Sequence, residues 1–349
     1  MRSSLKRLAI EFARRVGGCQ LLLNSRWRSQ RLLILCYHGT SIEDEHLWDS
    51  QLYISPGHLR RRLELLRDTR CTVLPLDEAV RRLYAGDLPP RAVAVTYDDG
   101  AYDVHARAYP LLREFDIPAT VYLTTYYVMH QTPVFDTMCS YLLWKAAPDP
   151  LHWPEVLGAT PAPLHDADAR ADAQRRIAAF IRAGALSGAE KAHLLVRLAA
   201  QLGVDYHRLL AARVLQLMTP DEAASLAQQG LDIQLHTHRH AMSLNKAILE
   251  REIRDNREIV ERLRGGAASH FCYPSGAYRP EFFRWLREWG VETATTCDPG
   301  LATRRTEPFQ IPRLVDTSGK SESEFVAWLS GLAALLPART YADVPVRLL

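Results

Sequence analysis

The 349-residue sequence has no close cysteine pair, no long apolar run, no glycine-rich phosphate loop and no large excess of one charge. Each absence removes a class of protein. Six cysteines stand singly (Cys19, Cys36, Cys71, Cys139, Cys272 and Cys297), so neither a zinc knuckle nor a disulfide framework is indicated. Cys36 and Cys272 lie in apolar runs, where a free thiol acts as a small hydrophobe, and a reducing compartment is expected. No stretch approaches the roughly eighteen apolar residues of a membrane-crossing helix. A net charge of +3, from 43 basic and 40 acidic residues, argues against a nucleic-acid partner. Internal repeats and low-complexity tracts are absent as well. What remains is an ordinary globular composition, 47% hydrophobic and 24% charged, long enough for one large α/β domain or two smaller ones.

The positive charge is unevenly placed. Arg2, Lys6, Arg7, Arg14, Arg15, Arg26, Arg28 and Arg31 crowd the N-terminus, opposed by Glu11 alone. Glu11, Arg14 and Arg15 interrupt the apolar core that a secretion signal would need, and no small-residue cleavage site follows. Leu5, Leu8, Ala9, Phe12, Ala13 and Val16 instead share one helical face, so residues 1–30 read as a basic amphipathic helix. Such a face either docks on the domain or lies on anionic lipid headgroups. The expected location is cytoplasmic, at the inner face of the membrane in the second case.

Seven short runs read as buried strands: 31–38, 92–99, 117–125, 231–238, 269–274, 290–296 and 308–315. Helical patterns follow at 59–68, 108–115, 246–263 and 280–289. Another spans 219–230, where Thr219, Pro220 and Glu222 form a helix start and Gly230 a stop. The rhythm breaks over 127–218, a Pro-rich and Ala/Arg/Leu-rich stretch that reads as a helical insertion between the third and fourth strands. The expected fold is α/β, a distorted (β/α) barrel of about seven strands, with an open doubly wound sheet as the alternative. The barrel takes 31–126 and 219–330, and 331–349 is left as a C-terminal tail.

Two clusters carry chemistry. Thr96-Tyr97-Asp98-Asp99-Gly100 ends one buried strand, and side-chain alternation sends its two carboxylates in different directions. One can bind a cation while the other faces a water on it; a plain Asp-Asp-Gly turn is the competing reading. His236-Thr237-His238-Arg239-His240 ends another strand. His236 and His240 can converge on one ion if a helical turn begins there, with His238 pointing away; chance histidines in a solvated loop would be the plain alternative. Two histidines and a carboxylate make a facial metal site, and a second carboxylate supplies a general base.

On these residues the sequence resembles the polysaccharide deacetylases, the NodB-type carbohydrate esterases of family four. TYDDG (96–100) matches the T-F-D-D-G motif with Tyr97 for Phe, HTHRH (236–240) matches H-[ST]-x-x-H, and CYPSG (272–276) matches R-x-P-[YF]-G in part. LCYHGT (35–40) and 54–66 look like the opening of many bacterial members. The resemblance implies Asp98 as catalytic base and Asp99, His236 and His240 as ligands of one divalent ion, zinc by default or another transition metal. It also implies that the Ser275 backbone N–H helps to hold the oxyanion.

Two departures stand out. Cys272 occupies the place of an Arg that often orients the base, and Arg313 is the candidate to reach in from the last strand. No histidine follows His270, so the usual late general acid is missing, and His38 at the exit of the first strand is the candidate replacement. His270 would lie inside its strand. Trp48, Tyr102, Tyr126, Tyr127 and, best placed, Tyr278 are candidate sugar-stacking rings. The expected activity is metal-dependent removal of N-acetyl groups from an amino sugar of a polysaccharide, lipid-linked precursor or glycolipid. A lipid-linked sugar deformylase and a catalytically decayed carbohydrate-binding protein are the alternatives.

Overall fold

The computed structural model describes residues 2–336, apart from the side chains of residues 2–7 and 9. Seven parallel strands form the frame: β1 (Leu33–Tyr37), β2 (Ala92–Asp99), β3 (Thr120–Leu123), β4 (Asp232–Leu235), β5 (His270–Cys272), β6 (Thr293–Thr295) and β7 (Leu314–Val315). Their order is β7-β1-β2-β3-β4-β5-β6, and the short strand Thr72–Val73 pairs with the start of β2. Thr295 bridges Ile311, just before β7, so the sheet curls until its two edges nearly meet. This is the distorted (β/α) barrel that the sequence leads one to expect. β1 is buried at every position and β2 at every position but Asp99, because helices cover one face and the barrel interior the other.

Register sets the site. Asp99 pairs with Leu123, and Leu123 with Leu235. His236 follows Leu235 directly, so the Asp-Asp and histidine clusters leave the barrel at the same end, the C-terminal end of the strands.

The helices follow their caps. Thr219 and Glu222 make a reciprocal capping box for Pro220–Gln228, and Asn245 caps Lys246–Arg264. The helix Leu76–Ala85 follows an uncapped Pro75 and leaves no start signal in the sequence. Between β3 and the helix Pro220–Gln228 the chain forms six helices, from Thr125–His130 to Tyr206–Ala211. They bury an apolar cluster of their own around Met138, Leu142, Ile177, Leu195 and Leu198.

The N-terminal segment departs from a single helix over 1–30. It forms Arg2–Arg15, Gly18–Leu23 and Arg26–Ser29. Ile10 is buried, while Leu8, Phe12 and Val16 are exposed, so the apolar stripe is not the docked face. The helix is tied down instead by Arg14, which donates to Glu322 at 2.8 Å and Ser323 at 3.0 Å. Arg28, far from being a surface charge, is buried and donates to the carbonyls of Leu329, Arg31 and Ala92. Of the tail, Leu332–Leu335 forms a 3-10 turn, and 337–349 lie outside the described residues.

One buried ion pair fixes the last strand. Arg62, on the inner face of the helix Pro56–Asp68, donates from Nε to Asp316 at 3.0 Å, and Tyr37 of β1 donates to the same carboxylate at 3.1 Å. Burial pushes the Asp316 carboxyl up, against the lowering effect of Arg62. Removing one partner leaves an uncompensated buried group. Arg62→Ala is expected to cost about 3 kcal/mol or more in urea unfolding. Arg62→Met combined with Asp316→Asn should recover much of that loss.

Candidate active site

β2 delivers two carboxylates to different places. Asp98 is almost fully buried (2%) and faces the barrel interior, whereas the Asp99 side chain is 32% exposed at the rim. The strand stops because Asp99 (φ 68°) and Gly100 (φ 86°) both turn left-handed. A side chain at Gly100 would also collide with Leu123.

His236 and His240 do converge, but not on a helical turn. Thr237 (φ 62°) and His240 (φ 54°) are left-handed, and these two reversals bring the imidazoles to 4.9 Å between ring centres. His238 points away and lies 2.9 Å from Thr125 Oγ1. The loop is clamped by the helix Lys246–Arg264: Asn256 accepts from the His236 N–H, and Glu252 accepts from the Arg239 N–H and guanidinium. Both residues are buried on the stripe Leu249, Glu252, Ile253, Asn256 and Val260. Two polar residues on an otherwise apolar stripe were the signal for these supports, which sequence reasoning overlooked.

Asp99 Oδ1 lies 3.2 Å from Nε2 of His236 and 3.2 Å from Nε2 of His240. It is buried and has no hydrogen-bond partner, so these three atoms converge on a point that none of them occupies. Ligand atoms on a tetrahedral ion at metal–ligand distances of 2.0–2.1 Å stand about 3.3 Å apart, so the spacing fits a small divalent ion. His236 Nδ1 sits 2.9 Å from the Cys272 carbonyl, which requires the proton on Nδ1 and frees Nε2 as a ligand. Burial would raise the Asp99 carboxyl, but His240 and His236 outweigh it and keep it well below the usual range.

Among the described residues two other groups of ligand-type atoms, Cys36–His38–Asp98 and Asp98–His236–Cys272, are poorer candidates. Asp98 is already taken. Arg313 Nη1 and Nη2 donate to its two oxygens, each at 2.7 Å, and Arg313 also donates to the Thr296 carbonyl at 2.9 Å. Burial pushes the Cys36 thiol up, which disfavours the thiolate that a metal needs. Cys272 Sγ accepts from Arg313 Nη2 at 2.9 Å. Burial would likewise raise the Asp98 carboxyl, yet the Arg313 guanidinium more than offsets it and holds it well below the usual range.

The remaining candidates fall unevenly. His38 Nε2 approaches Asp98 Oδ2 at 3.7 Å, with 19% of the side chain exposed. Ser275 is exposed and left-handed (φ 56°) in the turn Pro274–Gly276 after β5. Tyr278 is not the exposed ring expected from the sequence. It is 6% exposed, packs on Tyr273 and Phe283, and donates its hydroxyl to Asp298 at 2.8 Å. The apolar pull of that neighbourhood draws the ring inward. His270, at the start of β5, meets Thr293 and faces Asp77, away from the rim.

The sequence model of the polysaccharide deacetylases matches residues 85–151 and 188–294. The chain belongs to this family. The match enters the helical insertion, 127–218, from both sides and leaves 152–187 out. The chain is 24% identical over 117 residues to YxkH of Bacillus subtilis (strain 168), assigned to the polysaccharide deacetylases. That alignment covers 33% of this chain and 42% of YxkH, less than half of the curated relative's length. The fold is similar to that of the Streptococcus pyogenes deacetylase PplD in complex with acetate, with TM-score 0.56 and 16% identity over 88% of this chain and 99% of that one. It is also similar to IcaB from Ammonifex degensii, with TM-score 0.52 and 16% identity over 87% and 98% of the two chains. The polysaccharide deacetylase BC0361 from Bacillus cereus shares it at TM-score 0.52 and 16% identity, over 86% of this chain and 69% of its own.

Two outcomes follow from the geometry. Adding Zn²⁺ to chelator-treated protein at about 100 times the dissociation constant should stabilise it by about 2.7 kcal/mol. Asp99→Ala should show no such gain in calorimetry. Arg313→Met strands the Asp98 carboxylate without its counter-charge, and the expected loss is about 3–5 kcal/mol at neutral pH. In the native protein the lowered Asp98 pKa stabilises the fold above the ordinary carboxylate range and ceases to do so as pH falls. In the variant burial raises that pKa, so the gap between the two proteins should narrow toward about pH 4 in urea melts.

Proposed function

We propose that this deacetylase hydrolyses the N-acetyl group of an amino sugar in a polysaccharide, a lipid-linked precursor or a glycolipid, using one divalent ion, zinc first among the candidates. The observation that carries the reading is the pairing of two unlike carboxylates on one strand end. Asp99 Oδ1 lies 3.2 Å from Nε2 of both His236 and His240, and Asp98 beside it is held by Arg313 on both oxygens.

Asp99, His236 and His240 would hold the ion. When bound, it polarises the acetamide carbonyl and the attacking water. Asp98 takes a proton from that water: its carboxylate is kept ionised and cannot rotate away from Arg313 without losing two charge-assisted hydrogen bonds. Arg313 acts through Asp98 as a positioning residue, and the fully buried pair leaves no room for bulk solvent to level its charge. It takes over, from the approach to β7, the place that family members often give to an Arg at the position of Cys272. The proton collected by the base has to reach the leaving amine, and His38 is the nearest second carrier, its Nε2 3.7 Å from Asp98. The exposed turn at Ser275 supports a backbone N–H contribution to the oxyanion.

The test is an acetate-and-formate release assay on polymeric and lipid-linked N-acylated amino sugars with Zn²⁺ added. Acetate release is expected. Formate release alone would make the enzyme a deformylase, and release of neither, with no bound metal, would leave a carbohydrate-binding scaffold. Asp98→Asn should retain the metal and lose about 10²–10⁴ in rate. His38→Gln should lose kcat with metal content unchanged; full activity in that variant would remove His38 from the proton path.

A further inference from the structure

We propose that the N-terminal helix is a docking surface for an anionic lipid bilayer. Leu8, Phe12 and Val16 are 63%, 67% and 59% exposed, and Leu21 in the next helix is 75% exposed. The first three recur every fourth residue and therefore share one face. Four of the nine large exposed hydrophobics among the described residues thus fall within fourteen positions, which singly scattered surface residues would not do.

The stripe is held outward. Ile10 is buried on the domain side, and Arg14 ties the helix to Glu322 and Ser323. Glu322 and Ser323 follow the loop that leaves the C-terminal end of β7, the barrel end that carries Asp99 and His236.

Charge identifies the occupant. Residues 1–31 hold eight basic residues and one acidic residue. Arg28 is consumed inside the fold and Arg14 by Glu322, whereas Arg15 and Arg26 remain exposed. An apolar face flanked by cations suits anionic headgroups over an acyl boundary. Against a second copy of itself the same face would set like charges together. No helix among the described residues is long and apolar enough to cross a membrane, so the segment would lie on the surface. This docking does not depend on the deacetylase reading.

The experiment is co-sedimentation of the full chain with vesicles of phosphatidylcholine alone and of phosphatidylcholine mixed with phosphatidylglycerol. Binding is expected to the mixed vesicles only, and to fall as salt rises. Phe12→Glu should weaken it about tenfold or more while leaving bound metal unchanged. Arg15→Glu with Arg26→Glu, which spares the apolar face, should weaken it as well. Wild-type protein that ignores both vesicles, or binds no better than Phe12→Glu, would overturn the proposal. So would a concentration-dependent dimer in ultracentrifugation that Phe12→Glu dissolves, because the stripe would then join two copies of this chain.

Discussion

Asp98 and Arg313 are both buried inside the barrel, and each is tolerable there only because of the other. A carboxylate so placed would ordinarily take up a proton, and a guanidinium without an acceptor would not be retained. Together they make two parallel hydrogen bonds of 2.7 Å, and the thiols of Cys36 and Cys272 and the hydroxyl of Thr96 close in around them. Much else follows from this contact. It keeps the Asp98 carboxylate charged and engages both of its oxygens, so that Asp99 is the carboxylate that meets the two histidines. It also joins β2 to the approach of β7, two segments more than two hundred residues apart in the chain.

The strands were legible because parallel strands buried on both faces appear as unbroken apolar runs, as in AVAVTYDD. The polar residues that end such runs were legible for the same reason: Asp98, Asp99 and His236 stand where the apolar pattern gives out. Backbone handedness was not legible. Asp99, Thr237, His240 and Ser275 all adopt positive φ without being glycine, and residue type alone does not announce that. The sequence suggested a helical turn for His236 and His240, whereas the two left-handed residues do the work. Strained backbone of this kind persists only where surrounding contacts over-determine it, as Glu252 and Asn256 do here.

Orientation was the other gap. Periodicity reveals that the first helix has an apolar face, but not whether that face meets protein or solvent, because the answer lies in contacts such as Arg14 with Glu322. Tyr278 illustrates the converse: its position after CYPSG suggested a rim residue, and Tyr273, Phe283 and Asp298 draw it inward. Arg62 and Arg28 were invisible as interior residues for a similar reason, since a long cation is expected at the surface until its acceptors are known.

The location of Arg313 has a consequence for how the protein comes into being. Asp99, His236 and His240 have all left the ribosome well before residue 313, so a nascent chain carries these three residues ahead of the guanidinium that keeps Asp98 ionised. The buried Asp98 carboxylate has no counter-charge until Arg313 arrives with the last strand, which pairs with β1. The order of synthesis therefore makes the Asp98–Arg313 pair one of the last contacts to form, together with closure of the barrel.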